Sequence, residues 1–270
     1  MGVDVNALWD FGNPQLSEQR FREALTGATV PDDQMVLETQ IARTFGIRKE
    51  FEPAREVLAE IYPKLGAASS EVNARYWLEL GRTYCSASHP AESQTEDVKQ
   101  RAREAYTLAF DFARAGAFDG LAVDALHMMT MVDTDPEAQI EWNEKAIAFM
   151  DASNDAAAKK WAGSLRNNLG YALHMAGRYE EALVEFELSR IARQEAGNEQ
   201  GERIARWMIG WTLRAAGRLD ESLAVQLCLE KEWEEVGTES PYVFGELEIL
   251  YRALGNEARA DHYKAKKPVA

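Results

Sequence analysis

Cysteine is almost absent: Cys85 and Cys228 are the only two in 270 residues, and they form no metal-ligating spacing. Such scarcity suits a reducing compartment and predicts two small buried hydrophobes with no disulfide between them. Proline is sparse as well, with 8 residues against 18 Gly, which suits long helices joined by short turns. Runs in which Val, Ile and Thr alternate with polar residues are missing, so nothing marks a strand and an all-α chain is expected. No unbroken apolar run approaches the roughly 18 residues of a membrane span. Residues 121–132 come nearest and are interrupted by Asp124 and His127. The first 13 residues hold acidic side chains and no apolar core, so no signal peptide is expected, and Asn6 stands where a myristoylation signal has Ser or Thr. A cytoplasmic protein is the expectation.

Positive charge is also in deficit. With 30 Lys and Arg against 45 Asp and Glu the formal net charge is -15, which repels a phosphate backbone and an anionic membrane surface. Neither is an expected partner, although a local basic pocket remains compatible with that total. A P-loop, a dinucleotide-binding glycine pattern, a nucleophile elbow, a HExxH and a CxxC are all missing. A non-catalytic protein without cofactor or metal is therefore expected. Paired acids such as Asp32 and Asp33, or Glu234 and Glu235, read as solvated groups at helix ends and exposed faces. His89 and His262 read as solvated too.

What is present is enough apolar material for a core, 46% of residues, arranged in a repeating order. The clearest unit is 163–197, where Leu169, Gly170 and Leu173 share one helical face, Gly177 stops that helix, and Tyr179, Ala182 and Phe186 share a second face. The pattern returns with Ile209, Gly210 and Leu213, the stop Gly217, then Leu219, Ser222 and Leu223. It returns again with Leu247, Tyr251, the stop Gly255 and Ala260. Upstream, Trp77, Leu80, Gly81 and Tyr84 precede Ala102, Tyr106 and Ala109 across a polar inserted loop at 86–99. A first copy has Ile41, Ala42 and Phe45, then Phe51, Ala54, Leu58 and Ile61. The most degenerate copy has Ala125 and Met129, a turn at 133–136, then Ala138, Trp142 and Ala146. Six helical hairpins are predicted.

Trp77, Leu80, Gly81 and Tyr84 followed by Ala102 and Tyr106 resemble the tetratricopeptide (TPR) signature, and the resemblance spans roughly residues 35–264. Spacings of about 38 to 45 residues exceed the family's usual length of about 34 and are similar in length to those of kinesin light chain and of bacterial peptide-sensing regulators. The resemblance implies a right-handed α-α superhelix, a TPR solenoid of about six hairpins forming one domain over 35–264. Gly81, Gly170 and Gly210 would admit close helix approach, and no hairpin could bury its apolar stripe alone. Residues 1–34 would form an amino-terminal segment and capping helix, the helix at 17–26, covering the first hairpin with Phe21, Ala24 and Leu25 while Trp9 and Phe11 tuck beneath. Residues 265–270 would form a tail.

By the same resemblance the first helix of each hairpin lines a concave groove. Its inward residues would be Thr39 and Arg43, Arg75, Leu78 and Arg82, Asp124 and His127, Asn167, Tyr171 and His174, Trp207, Trp211 and Arg214, and finally Arg252. A mixture of Arg, Trp, Tyr, His and Asn fits recognition. Asn167 resembles the Asn residues that hydrogen-bond peptide backbones in TPR grooves. Trp207 and Trp211, four apart, share a face that is either groove or core. Arg43 and Arg82 would extend a cationic track favouring an acidic segment or a terminal carboxylate. The chaperone-tail clamp is not expected, because its Lys and Asn positions hold Thr39 and Arg43 or Leu78 and Arg82. The expected function is thus a module, monomer or homodimer, binding a peptide or protein segment. Two other readings stand beside it: a self-assembling structural scaffold, and a small-ligand sensor or enzyme using Asp124, His127 and His174.

Overall fold

The computed structural model describes residues 2–267. Among them are fourteen α-helices and no strand. After a short 3-10 turn at Val5–Leu8 come α1 (Pro14–Gly27), α2 (Pro31–Ile47), α3 (Phe51–Ile61), α4 (Ser70–Tyr84), α5 (Glu96–Ala115), α6 (Asp119–Val132) and α7 (Pro136–Ala152). There follow α8 (Ala156–Lys159), α9 (Ala162–Met175), α10 (Tyr179–Glu195), α11 (Glu199–Ala215), α12 (Leu219–Glu235), α13 (Pro241–Ala253) and α14 (Glu257–Lys266). Five of the expected hairpins are the packed pairs α2–α3, α4–α5, α9–α10, α11–α12 and α13–α14, and the consecutive helices α6 and α7 occupy the place of the third. The single turn of α8 between the third and fourth has no counterpart in the repeat pattern. Because α14 runs to Lys266, the start of the expected tail is helical; residues 268–270 lie outside the described residues.

Local chemistry explains where the helices start and stop. Asn13, Ser69, Thr95, Asp135, Asn198 and Asn256 each accept a hydrogen bond from a backbone N–H in the first turn of the helix that follows. At the other end Gly177, Gly197, Gly217, Gly237 and Gly255 adopt φ between 67 and 79°, which glycine reaches without a Cβ penalty. The Gly177 N–H donates to His174 O at 2.9 Å and the Arg178 N–H to Leu173 O at 2.9 Å, closing the helix and reversing the chain.

Helix contacts divide the chain into two compact units. The first holds the residues up to Ala138 together with Ala148–Lys159, the second Gln139–Ile147 together with the residues from Lys160 onward. In unit 1, Phe21, Leu37, Leu58, Ile61 and Val72 are all fully buried in one cluster. Fully burying each such side chain contributes about 1.5–3 kcal/mol. Phe21 secures α1 as the cap. Trp9 packs edge-on against it at 5.1 Å and donates from Nε1 to Gln40 Oε1 at 3.0 Å. Phe11 departs from expectation: it stacks on Trp9 at 4.6 Å but is 61% exposed, lying outside the cap instead of beneath it.

Unit 2 is centred on Leu229, Val243, Phe244, Leu247 and Tyr263, with Phe186 and Leu165 fully buried elsewhere in it. The glycines of the signature positions work as expected. A Cβ on Gly170 would meet the Phe186 ring at 2.8 Å, and one on Gly81 in unit 1 would meet the Tyr106 ring at 2.5 Å. Both cysteines are free, and Cys85 is buried with its Sγ at 3.1 Å from Met131 O. Cys228 is exposed, contrary to expectation, because it falls on the polar face of α12 beside Glu232 and Arg206.

Candidate functional site

In unit 1 the helical phase sets α2, α4 and α6 so that Arg43, Arg82 and Asp124 converge with a fourth residue, Glu79, one turn before Arg82. Arg82 Nη2 bonds Asp124 Oδ1 at 2.5 Å, and its Nη1 binds Glu79 Oε1. Arg43 lies 3.5 Å from Glu79 Oε1 and 3.9 Å from Asp124 Oδ2, with the Trp9 and Phe11 rings each 5.7 Å from its guanidinium carbon. Burial alone would raise the Asp124 carboxyl, but the Arg82 and Arg43 guanidiniums beside it hold it below the ordinary carboxylate value. Burial and the neighbouring Arg82 lower Arg43, and burial lowers His127, which keeps that imidazole neutral at pH 7. A cleft of about 210 Å³ opens beside Arg43, Glu79, Arg82 and His127, walled by Ile47, Met128 and Met131.

Two of the expected groove residues are elsewhere. Thr39 and Leu78 are 0% and 1% exposed, and the Thr39 hydroxyl donates to Val36 O within its own helix. The rotation of α2 and α4 that packs them against their neighbours puts Arg43 and Arg82 at the cleft. Arg75 pairs with Glu71 one turn away, and Arg252 with Glu248 and Glu257. His89 is not solvated: its ring stacks on Phe51 at 3.9 Å and its nitrogens contact Ser86 and Thr83 O, so it fastens the inserted loop.

In unit 2, α9 and α11 present a ladder of rings. Trp211 stands between Tyr171 and Trp207 at 6.0 Å from each, with planes within 14° of parallel, and Tyr242 of α13 meets Trp207 edge-on at 6.1 Å. His174 stacks on Trp211 at 3.4 Å and its Nδ1 contacts Thr212 Oγ1 at 2.9 Å. Burial, with Arg214 nearby, pushes that imidazole down to about 4. Arg214 forks onto Glu246 at 2.7 and 3.0 Å. Asn167 Oδ1 and Trp207 Nε1 are among the buried side-chain atoms that lack a hydrogen-bond partner. A second cleft, of about 480 Å³, is lined by Trp207, Trp233, Tyr242, Ile204, Pro241 and Arg203.

Both units build their polar and aromatic faces from the first helices of consecutive hairpins. The chain has the fold of a helical-repeat solenoid. A solved structure of RapI in its apo form matches 97% of this chain and 74% of its own length with a TM-score of 0.73 at 13% identity. BtubC from P. vanneervenii matches 98% of this chain and 89% of its own length, with 11% identity and a TM-score of 0.44. The apo form of the quorum sensor NprR from B. thuringiensis matches 97% and 94%, with 11% identity and a TM-score of 0.38. Scores that low carry no argument, so the fold rests on the first. No family model matches the sequence, and no curated protein does.

The charge pattern corrects one expectation. Arg43, Arg82 and Arg214 each face a carboxylate, so no cationic track results and the basis for an acidic partner is gone. Glu79 and Glu246 were missed because their partners are carried by neighbouring helices or hidden among many acidic residues; only the three-residue step from Glu79 to Arg82 was readable. Trp233 and Tyr242 were missed because they belong to α12 and to the first turn of α13, outside the positions the repeat marks as inward. Asp124 and His127 belong to unit 1 and His174 to unit 2, each with its own partners. Among the described residues no group of three or more His, Cys, Asp or Glu side chains could hold a metal ion, and no helix is long and apolar enough to cross a membrane.

Proposed function

We propose that this chain is a non-catalytic TPR-type interaction module and that unit 2 binds a peptide or protein segment across Tyr171, Trp211 and Trp207. The observation that carries this reading is the aromatic ladder: three nearly parallel rings at 6.0 Å steps, of which Tyr171 is 44% exposed. An aromatic ring left nearly half open to water, as Tyr171 is, costs solvation free energy that a partner's side chains recover, and Trp and Tyr dominate the energetics of known interfaces. The adjoining cleft beside Trp207, Trp233 and Tyr242 offers room for one large apolar side chain of the segment. Buried polar atoms are nearly always paired in folded proteins, so the unpartnered Asn167 Oδ1 and Trp207 Nε1 also fit a site that is completed by a small side-chain shift on binding.

The test is selection of binders from a displayed random-peptide library, followed by affinity measurement on variants. Trp211→Ala is expected to weaken binding by about 2 kcal/mol, roughly thirtyfold, with an unchanged helical circular dichroism signal. Arg114→Ala, an exposed residue of unit 1, is expected to bind as the parent does. Equal affinity for Trp211→Ala and the parent would remove the ladder from the site.

A further inference from the structure

The cleft of unit 1 holds a donor and an acceptor that the fold itself leaves unused. Arg43 is three-quarters buried, its side chain 25% exposed, yet its two carboxylate neighbours stand at 3.5 and 3.9 Å and it makes no hydrogen bond to any described residue. A guanidinium carries five N–H donors. Glu79, 3% exposed, serves both Arg82 and Arg43 through Oε1, and its Oε2 accepts from no described residue. The charge of this group is already balanced: two guanidiniums face two carboxylates and His127 is neutral. A ligand anion would enter as an extra unpaired charge, within reach of Glu79 and Asp124, in a chain of net charge -15. An added cation would be repelled by Arg43 and Arg82. Burying an uncompensated charge is costly, whereas a neutral group that both accepts and donates can take a hydrogen bond from Arg43 and give one to Glu79 Oε2.

We propose that this cleft binds a neutral carboxamide, such as the side chain of a glutamine or asparagine, with the amide oxygen accepting from Arg43 and the amide nitrogen donating to Glu79 Oε2. Ile47, Met128 and Met131 line the walls for the short aliphatic stem, and about 210 Å³ accommodates it. The site uses residues of unit 1 alone and goes beyond the aromatic ladder of unit 2, so either assignment can fail without the other.

The probes are N-acetylglutamine methylamide and N-acetylglutamate methylamide, which differ in shape by almost nothing and in charge by one. Titration of the full chain is followed at the Arg43 Nε–Hε resonance by NMR. The glutamine probe is expected to shift that resonance and to bind about tenfold more tightly than the glutamate probe, a difference of about 1.4 kcal/mol. In Glu79→Gln, which keeps the shape and removes one negative charge, the order is expected to reverse. Equal or tighter binding of the glutamate probe to the parent would make Arg43 an anion receptor and overturn the proposal. So would an Arg43 resonance unmoved by either probe. Because the first comparison needs only the parent protein, a variant that fails to fold leaves the result readable.

Discussion

Unit 1 and unit 2 use the same hairpin but finish it with different residues. Five helices of unit 2 end on a glycine at positive φ, whereas the equivalent turns of unit 1 are made by Lys49 at φ 65° and Ala117 at φ 56°. The hydrogen bonds are the same: the Ala117 N–H donates to Arg114 O and the Phe118 N–H to Ala113 O, as at Gly177. Their faces differ in the same sense. Unit 1 collects four charges around a cleft, and unit 2 stacks neutral rings. The geometry of the hairpin is therefore tolerant of its turn residue, at a strain of about 1 kcal/mol per non-glycine left-handed residue. Buried chemistry is less tolerant, because each charge requires a counter-charge on another helix while stacked rings require only area.

Breaking the charge cluster should have the largest effect. Asp124→Ala leaves Arg82 and Arg43 short of a counter-charge and is expected to cost about 3–5 kcal/mol, read as a lower urea midpoint at unchanged slope. A loss under about 1 kcal/mol would show that the cluster is solvated and that the contrast with unit 2 is false.

Acidification should have a smaller effect, to which buried imidazoles of both units contribute. His174 has its proton affinity depressed in the folded state, to about 4, so between about 6.5 and 4 the unfolded chain binds the proton first and stability falls as pH drops through that window. Asp124 is also depressed, from 3.8, so its contribution is lost only below that value. His174→Gln is expected to reduce the fall in the upper window, which His127 and His89 of unit 1, also lowered from 6.5 by burial, share, and to leave the lower window unchanged. An upper window unchanged in that variant would assign it to another group.

The smallest effect concerns the turns. Ala117→Gly is expected to stabilise the chain by about 0.5–1 kcal/mol in denaturant unfolding, since relief of left-handed strain exceeds the added entropy of the unfolded chain. Destabilisation instead would mean that the Ala117 methyl is held by packing, and that the two units' turns are not equivalent.

The sequence by itself determined the helical class, five of the six hairpins and the cap, because the apolar period, the capping residues and the glycine stops are local properties that act within a few residues. Gly170 and Gly81 were readable as points of close approach for the same reason. It also brought Trp207 and Trp211 onto one face, since residues four apart must share it. The tertiary structure decided how far each helix rotates about its own axis, and rotation is set by how neighbouring helices pack, which no single segment encodes. That rotation buried Thr39 and Leu78, exposed Cys228 and Phe11, tied His89 to Phe51, and gave Arg43, Arg82 and Arg214 their carboxylates. Pairing of charges is a contact between residues tens of positions apart, such as Arg82 with Asp124 or Arg214 with Glu246. An Arg read from the sequence is a free cation; only the fold reveals that its charge is already matched, and so which ligand chemistry remains open to it.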